Sequence, residues 1–522
     1  MANFGKLAAV GLISCFLLQG CGGGSSSPSQ GASADPANFA DGLGNEGHVA
    51  GTVAVGDVGI KYFGTERFSS SIDLTVMPDS TALIAWKVGV NDVVPGVVFS
   101  QLSTDGLWSK PIPVVSNVRE NARLTVGGNG AGDAFLAWTG YPDRGEALDS
   151  SRIPHMTSTK AVLRWRKGLG WESTPQTFST IVQNDEGISM IDDRSLVSAA
   201  NHSAVAPSAV SGIWGVDQAS SEFFRPGDEG VFHTVYSPFS TAPGSGGLTV
   251  FAAPTVGADN DTVWARLAYP ADGVKFAAVP ILSGRYLCQP TYGHERGFSI
   301  AAGASQSAVV TLLTASSRAT CDKPTLHLFR IDTTGNFSIS SAEIPLPTNV
   351  EEGSQKVAID DTGRAIAIWC EKLKYTSGSP LRVCKWSKSL PYESQRSWST
   401  PEDLFAISPD VGMYSAFDLP EIAMSRNGRV VAAVILDSYK GYDPRIVVSR
   451  FDFASGWAPW EKVANKSSLE TVKVAINDAG TALLGYTAVD LPRIGGKAQN
   501  GYQYIPPDRG PMKRVFVLKL PN

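Results

Sequence analysis

Chemistry in this chain would have to come from paired carboxylates, cysteines or exposed aromatic rings. Asp192-Asp193 and Asp360-Asp361 are adjacent carboxylates. Glycoside chemistry needs two such groups at a set separation across a substrate, which neighbours in sequence do not define. Asp360-Asp361 also leads into Thr362-Gly363, a turn sequence in which a carboxylate satisfies local backbone N–H groups, and the turn role is the simpler one. Asp259-Asn260-Asp261 offers oxygens to a calcium ion but lacks the Gly and the closing Glu of an EF-hand loop at the required spacing. The six histidines are scattered and no Cys-x-x-Cys occurs, so zinc is not expected. Nucleophile-elbow, zinc-protease, phosphate-loop and dinucleotide-binding signatures do not occur in a supporting context. No catalytic set, metal or cofactor is therefore predicted.

The cysteines and tryptophans carry more information. Cys370 ends the strand-like run AIAIWC and Cys384 lies in LRVCKW, with the polar stretch KYTSGSP between them. This arrangement predicts a cross-strand disulfide in a hairpin, and closing such a loop contributes about 3 kcal/mol in the chain-entropy picture. Cys288 and Cys321 remain as a second pair. Trp108, Trp171, Trp398 and Trp457 sit at or near turns, where they could stack on sugar rings or cover seams between sheets. Arg164-Trp165-Arg166-Lys167 reads as an edge strand.

The elements that position these residues follow from an internal repeat. An apolar strand, a turn with Asp, Asn, Ser or Gly, and a second apolar strand ending in a large residue recur at Ile72–Trp86, Leu124–Trp138, Val357–Trp369, Ile422–Val434 and Val474–Tyr486. The turn Gly stands six residues before the aromatic in Gly132/Trp138, Gly230/Tyr236, Gly363/Trp369 and Gly480/Tyr486, which keeps one face in register. That repetition places Trp86, Trp138 and Trp369 in the core. A second hairpin follows most copies, at 97–114, 263–281, 325–340 and 446–460. Two hairpins make a four-stranded antiparallel sheet with apolar faces that must be covered by neighbours, and radial stacking covers them. The predicted fold is all-β: a single β-propeller over 49–522, most simply of seven four-stranded blades, with six to eight compatible with the length. Blades would average about 67 residues, longer than compact ones. Residues 180–220 fit no copy and are either an insertion or an extra blade. The strand at Val515 would close the ring with the early segment from Val58 to Gly64, removing an exposed edge. A pair of β-sandwich domains is the competing architecture.

The N-terminus gives an address. Leu7–Leu18 is an apolar run of 12 residues after one lysine, short for a membrane span. It ends in Leu18-Gln19-Gly20-Cys21, which resembles the lipobox of bacterial lipoproteins. The resemblance implies a signal peptide over 1–20, diacylglycerol (with palmitate-type acylation) on Cys21, and attachment to membrane lipid. Residues 21–48 are a Gly/Ser-rich tether. Gly22 in place of Asp implies, by the family's sorting rule, the outer membrane of the cell envelope.

A second resemblance concerns turns. Ser103-Thr104-Asp105-Gly106-Leu107-Trp108 looks like a shortened Asp-box of sialidase-like propellers, and Gly170-Trp171, Trp398 with Pro401, and Gly456-Trp457 look like further decayed copies. In those families the box stabilises the blade edge away from the active site. A sialidase would also need three converging Arg, a Tyr nucleophile and a Glu, and none can be assigned by this resemblance.

Charge narrows the partners. The 522 residues carry 44 Lys and Arg against 49 Asp and Glu, a net charge of −5, which argues against nucleic acid. The sequence thus predicts a lipid-anchored envelope lipoprotein with a monomeric propeller body, serving as a binding or scaffolding surface for a glycan or an envelope protein. The alternative is a glycan-active enzyme, a sialidase-like hydrolase or a lyase, with its site at the central pocket.

Overall fold

The computed structural model describes residues 50–57, 72–90, 93–115, 124–128, 132–140, 157–166, 168–181, 188–190, 195–198, 211–215, 221–224, 240–243, 249–256, 261–269, 275–287, 298–303, 307–315, 325–332, 338–343, 350–351, 354–373, 381–389, 398–404, 414–416, 420–438, 445–465, 469, 471–490 and 512–521. Among these residues every regular element is a β-strand, and every strand pairing is antiparallel.

The strands fall into consecutive groups. Ile72–Val76, Ala82–Val90, Val93–Leu102 and Ile112–Val115 form one sheet in that spatial order. Leu124–Gly128, Ala134–Gly140, Thr157–Arg166 and Gln176–Ile181 form the next, with Gly170–Trp171 also on its third strand. Ile188–Met190, Ser195–Ser198, Ser211–Gly215 and Ser221–Phe224 follow, so the stretch that fits no sequence copy holds a four-stranded sheet of its own. An eight-stranded sheet then contains two successive groups. Ser240–Pro243 through Lys275–Leu287 is joined to Phe298–Ala302 through Ser338–Glu343 where Tyr286 pairs with Ala315. Lys356–Ile359, Ala365–Leu373, Leu381–Lys388 and Glu402–Asp403 come next. Glu421–Met424, Val430–Ser438 and Arg445–Asp452 follow, the last pairing both Gly456–Trp457 and Glu461–Asn465. The final sheet runs Thr471–Ile476, Ala482–Asp490, Met512–Leu520 and, outermost, Thr52–Asp57.

The first strand of each group lies beside the first strand of the next. Ile72–Val76 touches Leu124–Gly128, and the chain of neighbours runs through Ile188–Met190, Ser240–Pro243, Phe298–Ala302, Lys356–Ile359 and Glu421–Met424 to Thr471–Ile476. Thr471–Ile476 in turn lies beside Ile72–Val76. Successive antiparallel sheets with their first strands side by side are the arrangement of a β-propeller.

Alternation along the second strands explains the packing. In Ala365–Leu373, Ala365, Ala367 and Trp369 enter the seam toward the preceding group, with Leu326 and Leu328. Ile366, Ile368 and Cys370 enter the following seam, with Val430, Val434 and Phe451. Both faces of the strand are buried, so the run Ala365–Cys370 is apolar without alternation. Trp86, Trp369 and Tyr486 are fully buried, and Trp138 nearly so, as the repeat requires. Burying each contributes on the order of 2–3 kcal/mol.

The turns of the first hairpins share one geometry. Gly132, Gly363, Gly428 and Gly480 have φ of 84–90°, and Ser80 takes the same place at φ 67°. Neighbouring turns are tied together. The Asp361 N–H donates to the Arg426 carbonyl (2.8 Å), Asn427 Nδ2 to the Asp478 carbonyl (2.8 Å), and Asn477 Nδ2 to the Met77 carbonyl (2.8 Å). The last of these joins the final group to the first, as does the 2.8 Å contact between the Ser80 and Thr481 hydroxyls.

Among the described residues, the N-terminal strand that pairs with Met512–Leu520 is Thr52–Asp57, in register Thr52↔Leu518 to Asp57↔Arg514, which lies just before the segment from Val58 expected from the sequence. Val55 enters the seam containing Trp86, while Ala54 packs on the opposite face. Gly56 lies flat against the Trp86 indole, where a Cβ would overlap the ring. Val58–Gly64, Cys21 with the tether, Cys288, Cys321 and the Gly230/Tyr236 copy lie outside the described residues.

Candidate functional site

The innermost strands carry a polar residue at one repeated position. Asp73 pairs across from Ala85, Thr125 from Ala137, Ser299 from Thr311, Lys356 from Ile368, Glu421 from Ala433 and Lys473 from Gly485. The flanking residues, such as Ile72 and Leu74 or Val472 and Val474, pack into the seams. Four of the six are charged, and in spatial order around neighbouring strands they read Lys356, Glu421, Lys473, Asp73. The signs alternate.

The geometry is specific. Glu421 Oε1 accepts from Lys473 Nζ at 2.8 Å and from Lys356 Nζ at 3.5 Å, linking three adjacent groups of strands. Asp73 Oδ2 accepts the Val126 N–H of the next group at 2.8 Å, and Oδ1 accepts the Leu74 N–H at 3.0 Å. Ser299 does the same work with a hydroxyl, its Oγ accepting the Val357 N–H at 3.2 Å. A first strand has one open edge, and these side chains satisfy its backbone donors.

Electrostatics separate the two carboxyls. Burial pushes Asp73 from 3.8 up to about 6; Lys473 and the two backbone N–H groups pull it back only in part, and Glu421 adds to the rise. Glu421 also feels burial, but Lys356 and Lys473 outweigh it and hold the group below its ordinary value. Glu421 stays ionised while Asp73 carries a proton in mildly acidic solution. The side chains of Lys356, Lys473 and Glu421 are 32%, 31% and 19% exposed, so water reaches them.

Sequence reasoning missed this cluster. Its signal is a polar residue thirteen positions before the terminal large residue of each copy: Asp73/Trp86, Thr125/Trp138, Lys356/Trp369, Glu421/Val434 and Lys473/Tyr486. The residue type changes from copy to copy, so a search for recurring identities passes over it.

The tryptophans near turns are half-buried. Trp108 pairs with Leu102 and packs at the seam between the final and first sheets. Trp171 lies 4.6 Å from Phe99, centroid to centroid, at the seam of the first two sheets. Trp398 pairs with Ser389 and packs on the cluster around Trp369. Trp457 stacks on Trp460 at 5.6 Å and meets Phe451 and Trp386. The structure does not bring the four together with the inner-strand cluster. The sequence Ser103–Trp108 closes on itself: Ser103 Oγ donates to Asp105 and to the Leu107 carbonyl, Gly106 has φ 85°, and the Ser103 hydroxyl heads the contacts that lower the Asp105 pKa. Asp360 is likewise held by its turn. Its Oδ1 accepts from the Thr362 N–H, the Thr362 hydroxyl and the Arg364 N–H, while Oδ2 pairs with Arg364 Nε at 2.6 Å. Cys370 and Cys384 face each other across neighbouring strands with Cα atoms 3.9 Å apart and form a buried disulfide.

No group of three or more His, Cys, Asp or Glu among the described residues could hold a metal ion. No family model matches the chain, and none of the curated proteins compared with it does. Among solved structures, it is similar to the BP39L lectin from Burkholderia pseudomallei at 11% identity, over 76% of this chain and 99% of the lectin, with a TM-score of 0.43. It is also similar to the fucose-specific lectin of Aleuria aurantia at 9% identity, over 76% and 96% of the two chains, TM-score 0.36. Prolyl oligopeptidase B from Galerina marginata matches at 13% identity, over 79% of this chain and 54% of the enzyme, TM-score 0.42. Similarity this distant carries no argument about ligand or activity. The class of protein, a β-propeller, rests on the strand pairing and the neighbouring first strands.

Proposed function

We propose that the chain is a closed propeller of eight four-stranded units, that Cys21 is lipidated and holds it at a bacterial outer membrane, and that it binds a glycan at the polar ring of its innermost strands. The unit count follows from splitting the eight-stranded sheet at Lys275–Leu287 and treating 188–224 as a unit. Closure is supported by the pairing of Thr52–Asp57 with Met512–Leu520 and by the Asn477–Met77 bond. The observation that carries the binding reading is the repeated inner position, filled by Asp73, Thr125, Ser299, Lys356, Glu421 and Lys473. A polyhydroxylated ligand needs mixed donors and acceptors at fixed points, and this ring supplies both. The half-buried turn tryptophans Trp108, Trp171, Trp398 and Trp457 lie in separate seams and would each offer only an isolated secondary stacking point.

One observation favours catalysis as the second reading. Asp73 and Glu421 have their proton affinities driven apart, which is the pattern of an acid and its ionised partner. Incubating the protein with a panel of labelled glycans and mucins separates the two: retention without product supports binding, and released product overturns it in favour of an enzyme. For the anchor, radiolabelled palmitate should enter the wild-type chain in the producing bacterium and not the Cys21→Ser variant. An unlabelled wild-type chain would refute lipidation.

A further inference from the structure

We propose that Arg429 and Arg450, at the seam between the last two groups of strands, form a site for a phosphate group. Arg450 pairs across from Val431, and Arg429 lies two residues before Val431, so both side chains fall on the face that packs against the final sheet. There they are held by main-chain oxygens. Arg429 Nη1 donates to the Ala479 carbonyl at 2.8 Å. Arg450 donates through Nη1 to the Gly480 carbonyl and through Nη2 to the Leu520 carbonyl, both at 3.4 Å. Gly480 makes room for this seat, since a Cβ there would overlap the Arg429 guanidinium. Carbonyls position the two cations but neutralise neither.

The preceding group shows which charge is missing. Arg364 closes the turn that opens at Asp360, as Arg429 closes the turn that opens at Ser425. Lys388 pairs with Ile366 as Arg450 pairs with Val431. Arg364 has its own carboxylate, Asp360 Oδ2 at 2.6 Å. Asp360 Oδ1 also accepts the Arg364 N–H at 2.8 Å, and the Ser425 hydroxyl accepts the Arg429 N–H at 3.0 Å in the same way. Serine therefore keeps the turn and drops the charge. Among the described residues, no carboxylate makes direct contact with Arg429 or Arg450. Burial and then the Arg429 charge lower the proton affinity of Arg450, and Glu461 offsets this only in part, so the two cations are close enough to repel.

A phosphate supplies that charge, and its oxygens match the planar N–H fork of a guanidinium. Arg429 is exposed and Arg450 half-buried, so the pair opens to solvent. Two sources of phosphate fit this chemistry, a free phosphate and a phospholipid headgroup. Leu520, whose carbonyl Arg450 uses, lies two residues beyond Leu518, the partner of Thr52. The described chain thus enters the final sheet at the end that carries the arginines. On the proposed lipidation of Cys21, this is the end that the tether joins, which favours the headgroup as the source.

The test is calorimetric titration of the full chain, kept in neutral detergent, with inorganic phosphate, with short-chain phosphatidylglycerol, and with diacylglycerol of the same chain length. A phosphate-bearing probe should bind, and diacylglycerol should give only its heat of mixing with detergent. Arg429→Gln and Arg450→Gln should each weaken phosphate binding at least about tenfold. Arg450→Lys should recover only part of the loss, because an ammonium lacks the fork. Arg426→Gln removes the same charge from an exposed position on the same turn and should leave binding unchanged. Binding of inorganic phosphate supports the site with a soluble ligand, and binding of the phospholipid alone supports it with a headgroup. No binding of either phosphate probe overturns the proposal, as does an equal loss in Arg426→Gln. Neither result bears on the lipidation of Cys21, which the palmitate label decides. Should an arginine variant fail to fold, the parent chain's response to the phosphate probes and to diacylglycerol, with Arg426→Gln beside it, still decides the matter.

Discussion

Asp73 ties the stability of the molecule to pH. Its carboxyl is pushed from 3.8 to about 6 in the folded chain, first by burial. Between those values the folded state holds a proton that the unfolded chain has released, so stability falls as pH rises from about 4 through 6. A two-unit shift corresponds to nearly 3 kcal/mol, and partial solvent access reduces this to about 1–2 kcal/mol. Urea unfolding of the parent should show a falling midpoint from pH 4.5 to 7, and Asp73→Asn should flatten that slope. A slope that survives in Asp73→Asn would assign it to another group. Glu421 acts in the opposite sense. Its lowered pKa supplies stability above its ordinary value, and this is lost as pH drops through the folded value.

Hairpins are the unit at which sequence and structure meet. The Cys370–Cys384 bridge lies inside one, between directly paired strands, with both cysteines fully buried. Cys370→Ala with Cys384→Ala should lower stability by about 3 kcal/mol, read as a drop in thermal midpoint, while the parent under reducing conditions should approach the same value. An unchanged midpoint would show that the hairpin holds by packing alone. This pair was legible because strand-like runs flank both cysteines. The buried Trp86 and Trp369 were legible because a turn in fixed register repeats one face. Ser80 was not, since it adopts the positive φ that Gly takes in the other copies, and the Thr481 hydroxyl meets its side chain at 2.8 Å. The sheet within 188–224 was hidden for a different reason. Its strands, such as Ile188–Met190 and Ser195–Ser198, are only three to five residues long and rich in Ser and Gly, so they offer little alternation to read. The inner-strand charges were hidden because geometry fixes their position but not their identity.

At the scale of the whole molecule, the final sheet is built from both ends of the described chain. A chain beginning at residue 50 should fold and unfold like the full-length protein, because Thr52–Asp57 is intact. A chain beginning at residue 58 should leave Met512–Leu520 as an open edge and aggregate on expression. Sedimentation of the two truncations checks this, and a soluble, monomeric product from residue 58 would show that the edge strand is dispensable. The place of that strand has a mechanical outcome too. Thr52–Asp57 is the outermost strand of its sheet, farthest from Thr471–Ile476. On the proposed lipidation of Cys21, the tether would therefore join the body at the outer end of this sheet and away from the first strands that carry Asp73, Glu421 and the two lysines.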